Sequence, residues 1–192
     1  MQLPACLNLR HRFSLYLGVL ALIIGSCGKE AAPARVLNEE DVKQAALALE
    51  PIKAQLKQAL TSSMKEHGPI KAIDACALKA PEIIAEAAHA RLEVGRTSHK
   101  LRNASNVAEG SLVTWLKFHQ QTPSPDATHA EITEDGKVLY AEPLFVAPLC
   151  LTCHGENVPA EVQKELDRLY PNDQATGFKE NDFRGLIWIK ME

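Results

Sequence analysis

The chain has 192 residues, a formal net charge of −3 and only 5% aromatic residues. That length holds one ordinary domain once a targeting segment is removed. The near-neutral charge argues against a nucleic-acid partner, which requires a clearly basic face, and the composition excludes a disordered or repetitive chain.

The first residues read as an export signal. Arg10, His11 and Arg12 form a basic start, and an apolar run follows from Phe13 to Ile24. A stable membrane span needs about 20 apolar residues, so the run fits a signal-peptide core better than a permanent helix. It ends in Ile24-Gly25-Ser26-Cys27, which resembles the lipobox of bacterial lipoproteins. In that pattern two small residues admit the chain to a narrow peptidase cleft, and the cysteine is acylated and becomes the first mature residue. The resemblance implies a signal peptide over 1–26, a lipid on Cys27, a tether over 27–37 and one domain over 38–192. Several acyl chains on Cys27 would hold the protein to a lipid membrane, since one chain binds only marginally. Gly28 follows where aspartate would mark inner-membrane retention, which favours the periplasmic face of an outer membrane.

Helices come first in the mature chain. Asn38 is placed to cap a helix whose first turn carries Glu39, Glu40 and Asp41, where the helix dipole favours acids. Val42, Leu49, Leu56 and Leu60 recur at helical spacing. Pro51 is expected to kink this helix and Gly68-Pro69 to end it. A second helix is expected from Pro69 to Ala80, and a third from Pro81 to Leu92, with proline at its first position.

Strand signals follow. Val94–Ser98 and Lys100–Arg102 are short and β-compatible. A helix over Ala108–His119 separates them from two strands, His129–Thr133 and Lys137–Phe145, joined around Asp135-Gly136, a strong hairpin signal. Cys150–Gly155 reads as a tight turn, Pro159–Leu169 as an amphipathic helix, and Phe183–Met191 as a last apolar strand. Helices before antiparallel strands make the fold class α+β.

The cysteines carry the chemistry. Cys6 leaves with the signal and Cys27 takes lipid, so Cys76, Cys150 and Cys153 remain. Cys150-Leu151-Thr152-Cys153-His154 is a CxxCH motif, the attachment signature of c-type haem. Two thiols at this spacing reach the two vinyl groups of a porphyrin, and the adjacent imidazole comes to lie under the iron. A zinc site would need four ligands, and the chain offers no second CxxC. A dithiol redox motif would sit in a thioredoxin-like βαβ unit, not near the end of an antiparallel pattern. A further iron ligand is open to Cys76, Met64, Met191 or one of His67, His89, His99, His119 and His129. Cys76 stands out because an unpaired thiol outside the cytoplasm is an oxidation liability that ligation would remove.

Four ordered blocks sharpen this reading. They are Gly68-Pro69-Ile70-Lys71-Ala72-Ile73-Asp74-Ala75-Cys76; Val94–Ser98 with Lys100–Asn103; Cys150–Gly155; and Tyr170–Phe178 with Asp182-Phe183-Arg184-Gly185. Together they resemble the single-haem c-type domain family with a PAS-like fold, which occurs alone or as the sensing part of larger bacterial signalling proteins. The resemblance spans residues 38–191. It implies N-terminal helices packed on a five-stranded antiparallel sheet, with one covalent haem c in the core. It implies His154 and Cys76 as the metal ligands, and it places Arg96, Arg102 and Asn103 where a residue contacting the anionic propionates is expected. A guanidinium suits that task because it bonds carboxylates bidentately. Asn172 and Phe178 depart from the aspartate and tyrosine common at these positions, which bears on local loop contacts.

The function implied is redox or diatomic-gas sensing, with periplasmic electron transfer as the alternative. A thiolate opposite imidazole favours Fe(III) and a low potential. No kinase, cyclase or chemotaxis segment is readable, so a sensor would pass its state to a separate redox or signalling partner protein. An enzymatic role is not expected, because two protein ligands leave no open iron position and no distal acid–base pair can be named.

Overall fold

A computed structural model of the chain describes residues 35–89 and 92–192. The expected signal peptide, the lipid-bearing Cys27, residues 28–34 of the tether and the side chain of His89 lie outside the described residues. Among the described residues no helix is long and apolar enough to cross a membrane.

Asn38 caps α1 (Glu39–Asp74) reciprocally. Its Oδ1 accepts the Asp41 N–H at 2.9 Å, and Asp41 Oδ2 accepts the Asn38 N–H at 3.1 Å. This box satisfies two amides that the helix start would leave bare. Pro51 lies inside α1 without a break. The interruption falls at Gly68, whose φ of 77° no helix accommodates and few side chains tolerate. The chain resumes helical geometry to Asp74, passes through a π-turn over Ala75–Lys79 and continues as α2 (Ala80–His89). The expected second helix is therefore a redirected end of α1 followed by a π-turn.

One antiparallel sheet receives these helices. Its strands are β1 (Glu93–Thr97), β2 (His129–Ile132), β3 (Val138–Phe145) and β4 (Phe183–Met191), in the order β1-β4-β3-β2. Asp135-Gly136 turns β2 into β3, with Gly136 N–H donating to the Thr133 carbonyl at 2.8 Å. On one face Ala45, Leu49 and Ile52 of α1 meet Val94, Val138, Tyr140, Ile187 and Ile189. On the other, Leu112 and Leu116 of α3 (Ser111–Gln121) meet Leu139, Ala141 and Leu186. With both faces covered, Val138–Ala141 is buried at four successive positions, where a half-exposed strand would alternate.

Among the described residues the sheet has four strands, not the five expected. Lys100–Arg102 forms none, because Ser98 Oγ accepts the Lys100 N–H at 3.1 Å and bends the chain directly after β1. A bulge also interrupts the β3–β4 ladder: Leu144 pairs with Gly185, but Phe145 pairs with Phe183, leaving Arg184 as the extra residue. The bulge carries Phe183 to the α3 face and re-aims Arg184. Gly185, at φ 152°, is required there, since a Cβ would collide with the Thr97 carbonyl oxygen.

Candidate cofactor site

The CxxCH motif folds as one helical turn. Pro148 opens a 3₁₀ turn over Pro148–Cys150, and α4 (Leu151–His154) follows. Residues three and four apart on a helix share a face, so Cys150, Cys153 and His154 point the same way. All three line a cavity of about 910 Å³ bounded by α1, the π-turn, α2 and β1. α5 (Ala160–Leu169) braces the turn from behind: Val162 and Leu166, both fully buried, pack with Ile73 and Cys153.

His154 is fixed in orientation. Its Nδ1 lies 2.6 Å from the Ala175 carbonyl oxygen, which can only accept, so Nδ1 carries the proton and Nε2 keeps a free lone pair. The Phe178 ring meets the imidazole edge-on, 6.4 Å between centroids. Burial and, next, the positive charges of Arg102 and Arg184 push the His154 pKa down to about 3. Neutral imidazole is the form that can bind a metal. Burial likewise holds the Cys153 thiol above its ordinary pKa.

Cys76 lines the same cavity from the π-turn and is half-buried. Single π-turns inside helices cluster at functional sites, because the extra residue redirects a side chain. Of the other candidate ligands, Met64 also lines the cavity. Of the others whose side chains are described, none lines it. His67 is exposed beside Glu66, and His99 lies between Phe178 and Phe183. His119 is fully buried on the α3 face, its Nε2 3.0 Å from that of His129. Met191 packs at the end of β4. Among the described residues no group of three His, Cys, Asp or Glu side chains is placed to hold a bare metal ion.

The polar residues of the second block separate by role. Asn103 is exposed and its side chain accepts from Ser105, capping a 3₁₀ turn over Ala104–Asn106. Arg102 is committed to protein: Nε donates to Asp173 Oδ2 at 3.0 Å, and Nη2 donates to the carbonyls of Cys153 and Ala175. Arg96 lines the cavity, and its side chain makes no hydrogen bond or ion pair to another described residue. Arg184, from the fourth block, lies against the Phe178 ring and donates to Ser98 Oγ at 2.7 Å. Burial, then Arg102 and Arg96, push its pKa down to about 10. Arg96, Arg102 and Arg184 line the cavity against one lining carboxylate, Glu93, with Asp173 on Arg102, so the three guanidiniums leave a positive excess that suits an anion. Tyr170, Asp173 and the Ala175 carbonyl were not singled out from sequence. The first two lay within the fourth block, but a backbone carbonyl leaves no mark in a sequence.

The fold is thus an α+β domain in which helices and one antiparallel sheet enclose a cavity lined by a CxxCH turn. The chain belongs to the Tll0287-like family, which matches residues 34–191. A solved structure, that of the cyanobacterial haem protein Tll0287, shares the fold with a TM-score of 0.60. The two are 24% identical over 81% of this chain and 96% of that one. No curated protein matches the chain.

Proposed function

We propose that this protein holds one covalent c-type haem and works as a redox or diatomic-gas sensor, exported and tethered to the periplasmic side of a bacterial membrane through an acylated Cys27. The domain is read as PAS-like. Cys150 and Cys153 would supply the thioether sulfurs, and His154 and Cys76 would hold the iron. The observation that carries this reading is that both motif thiols and Cys76 face one cavity with an imidazole whose Nε2 is free. The donor set suits haem: two thiols at vinyl spacing, a neutral imidazole and, at Arg96, a cation with no side-chain partner among the described residues. The matching haem protein of the same fold supports it further.

When bound, the group supplies a one-electron couple at iron. The protein does the rest. His154 is held by the Ala175 carbonyl, a contact that also raises the basicity of the ligating nitrogen. Arg96 would neutralise propionate charge. Cys76 would favour the oxidised form as thiolate, and its protonation on reduction would free its sulfur and let the helix that carries it relax, which is the two-state element a sensor needs. An enzymatic role is not part of this proposal.

Electron transfer is the second reading, favoured by the rigid hold on His154. The two readings differ in whether Cys76 stays bound on reduction. Visible and electron-paramagnetic spectra of the holoprotein, oxidised and reduced, beside Cys76→Ser and Met64→Leu, test both. The proposal expects a low-spin thiolate signature in wild type and Met64→Leu, its loss in Cys76→Ser, and carbon monoxide binding by reduced wild type. A Cys76→Ser spectrum identical to wild type removes Cys76 as ligand. A reduced spectrum indifferent to carbon monoxide removes the sensor and leaves the carrier.

A further inference from the structure

We propose that Arg102 and Asp173 form a clamp on the Ala175 backbone that positions His154 and tunes its metal-facing nitrogen. The inference rests on the reading of His154 as an axial ligand and goes beyond it, since Arg102 then acts through the protein and not on the propionates.

The geometry is a closed loop of hydrogen bonds. Asp173 Oδ1 accepts the Ala175 N–H at 2.8 Å. Asp173 Oδ2 accepts Arg102 Nε at 3.0 Å, and Arg102 Nη2 donates to the Ala175 carbonyl at 3.3 Å. Ala175 is therefore held on both sides of its Cα, at the N–H of the preceding peptide by the carboxylate and at the C=O of the following one by the guanidinium. That same carbonyl oxygen receives the His154 Nδ1 proton at 2.6 Å. A second donation from Arg102 Nη2, to the Cys153 carbonyl, ties the clamp to the turn that carries His154. The pair is buried, with 11% and 5% of the Arg102 and Asp173 side chains exposed. Water therefore screens it little.

Two consequences follow. First, the imidazole plane is set by a carbonyl that is restrained, because the peptides on both sides of the Ala175 Cα are hydrogen-bonded to the same Arg102–Asp173 pair. Second, the shared oxygen is polarised by a cation, which weakens it as an acceptor for the His154 N–H. A carbonyl that accepts strongly makes imidazole a more electron-rich ligand and favours ferric iron. Arg102 opposes that, both through the shared oxygen and through its own charge, while Asp173 offsets part of the charge. The two positioning residues thus push the reduction potential in opposite directions. Arg102 raises it and Asp173 lowers it.

The opposite signs separate this role from a merely structural one, in which both substitutions would loosen the turn and act alike. The test measures the reduction potential of holoprotein carrying Arg102→Met, Asp173→Asn or Arg102→Lys. The expected result is a fall for Arg102→Met, a rise for Asp173→Asn and a smaller fall for Arg102→Lys, which keeps the charge but not the fork. ¹⁵N NMR of His154 in the full-length chain, with or without haem, supplies the second readout. Wild type should show the Nδ1-protonated tautomer with a slowly exchanging proton, and Arg102→Met should exchange that proton faster. Shifts of equal sign in the two charge-altering variants, or an unchanged His154 proton, overturn the clamp while leaving the haem reading intact. A wild-type mass of bare polypeptide overturns the haem reading, and the NMR comparison still decides the clamp. If Arg102→Met does not fold, the Asp173→Asn rise and the Arg102→Lys fall decide it.

Discussion

Acidifying the cofactor-free chain should destabilise it through His154, by an amount the structure fixes. The folded protein holds this imidazole neutral down to about pH 3, through burial first and the Arg102 and Arg184 charges next. The unfolded chain protonates it near the ordinary value of about 6.5, so between these limits the unfolded state binds more protons. The stabilisation is therefore complete above the unfolded value and is lost as pH falls towards the folded one. From pH 7 to pH 4 the loss assigned to this one group is about 3 kcal/mol, a large share of the roughly 5–15 kcal/mol that holds a domain folded. His154→Gln provides the comparison, since glutamine can donate to the Ala175 carbonyl but does not titrate. Carboxylates and the other buried histidines, His99, His119 and His129, whose pKa values burial also lowers, cancel between the two chains. Urea unfolding at pH 7, 5.5 and 4 should show a steeper decline for wild type, a difference of about 1–3 M in midpoint at pH 4 for m values of this size class. Parallel profiles for the two chains would refute the argument that His154 is kept neutral by its surroundings.

Three further substitutions probe the frame around the cavity. Gly185→Ala forces a Cβ onto the Thr97 carbonyl at a φ of 152°, and should cost about 1–3 kcal/mol, read as a lower Tm. Leu166→Ala removes a fully buried brace behind the CxxCH turn and should cost about 2–5 kcal/mol in urea unfolding. Arg96→Gln should leave stability within about 0.5 kcal/mol of wild type, because the Arg96 side chain has no partner among the described residues to lose. In the proposed reading the same variant should lower the reduction potential of the holoprotein in a redox titration, since it removes a cation from the cavity wall.

Much of this molecule is legible in the order of its residues, for identifiable reasons. The stripe Leu49–Ile52 and the run Phe183–Met191 follow from helical and extended periodicity, and Asp135-Gly136 makes the hairpin because few other pairs accept that turn. The CxxCH spacing is local, so its geometry follows from one helical turn. What escapes is non-local or lies in the backbone. Nothing in Ala75-Cys76-Ala77-Leu78-Lys79 distinguishes a π-turn from an α-turn, because the extra residue answers to packing around it. The bulge at Arg184 is a property of the β3–β4 register, visible only once two distant strands are paired. Lys100–Arg102 has strand-like residue types, yet the Ser98 hydroxyl competes for its first amide and wins. Arg102 and Arg96 look equivalent in sequence, and only Asp173, 71 positions away along the chain, separates them.

The two candidate ligands are held with unequal strength, and that asymmetry bears on the choice between sensing and carrying. His154 sits on a turn bridged to the following loop by two backbone bonds, Phe178 N–H to the His154 carbonyl and Gly177 N–H to the Gly155 carbonyl, besides the contact at its ring. Moving it would break a network. Cys76 lies on a π-turn between an α1 end already redirected at Gly68 and the start of α2, and the side chains of its neighbours Ala72 and Ile73 are buried and apolar. Apolar packing is non-directional, whereas each hydrogen bond around His154 demands one geometry. A π-turn can also shed its extra residue into α geometry by a small register change. In the proposed reading, a change of iron charge that weakens both axial bonds would therefore release the sulfur side first. The motion would run along α1 and α2, which together pack against the sheet, leaving the CxxCH turn fixed as the reference point against which a partner could read the displacement.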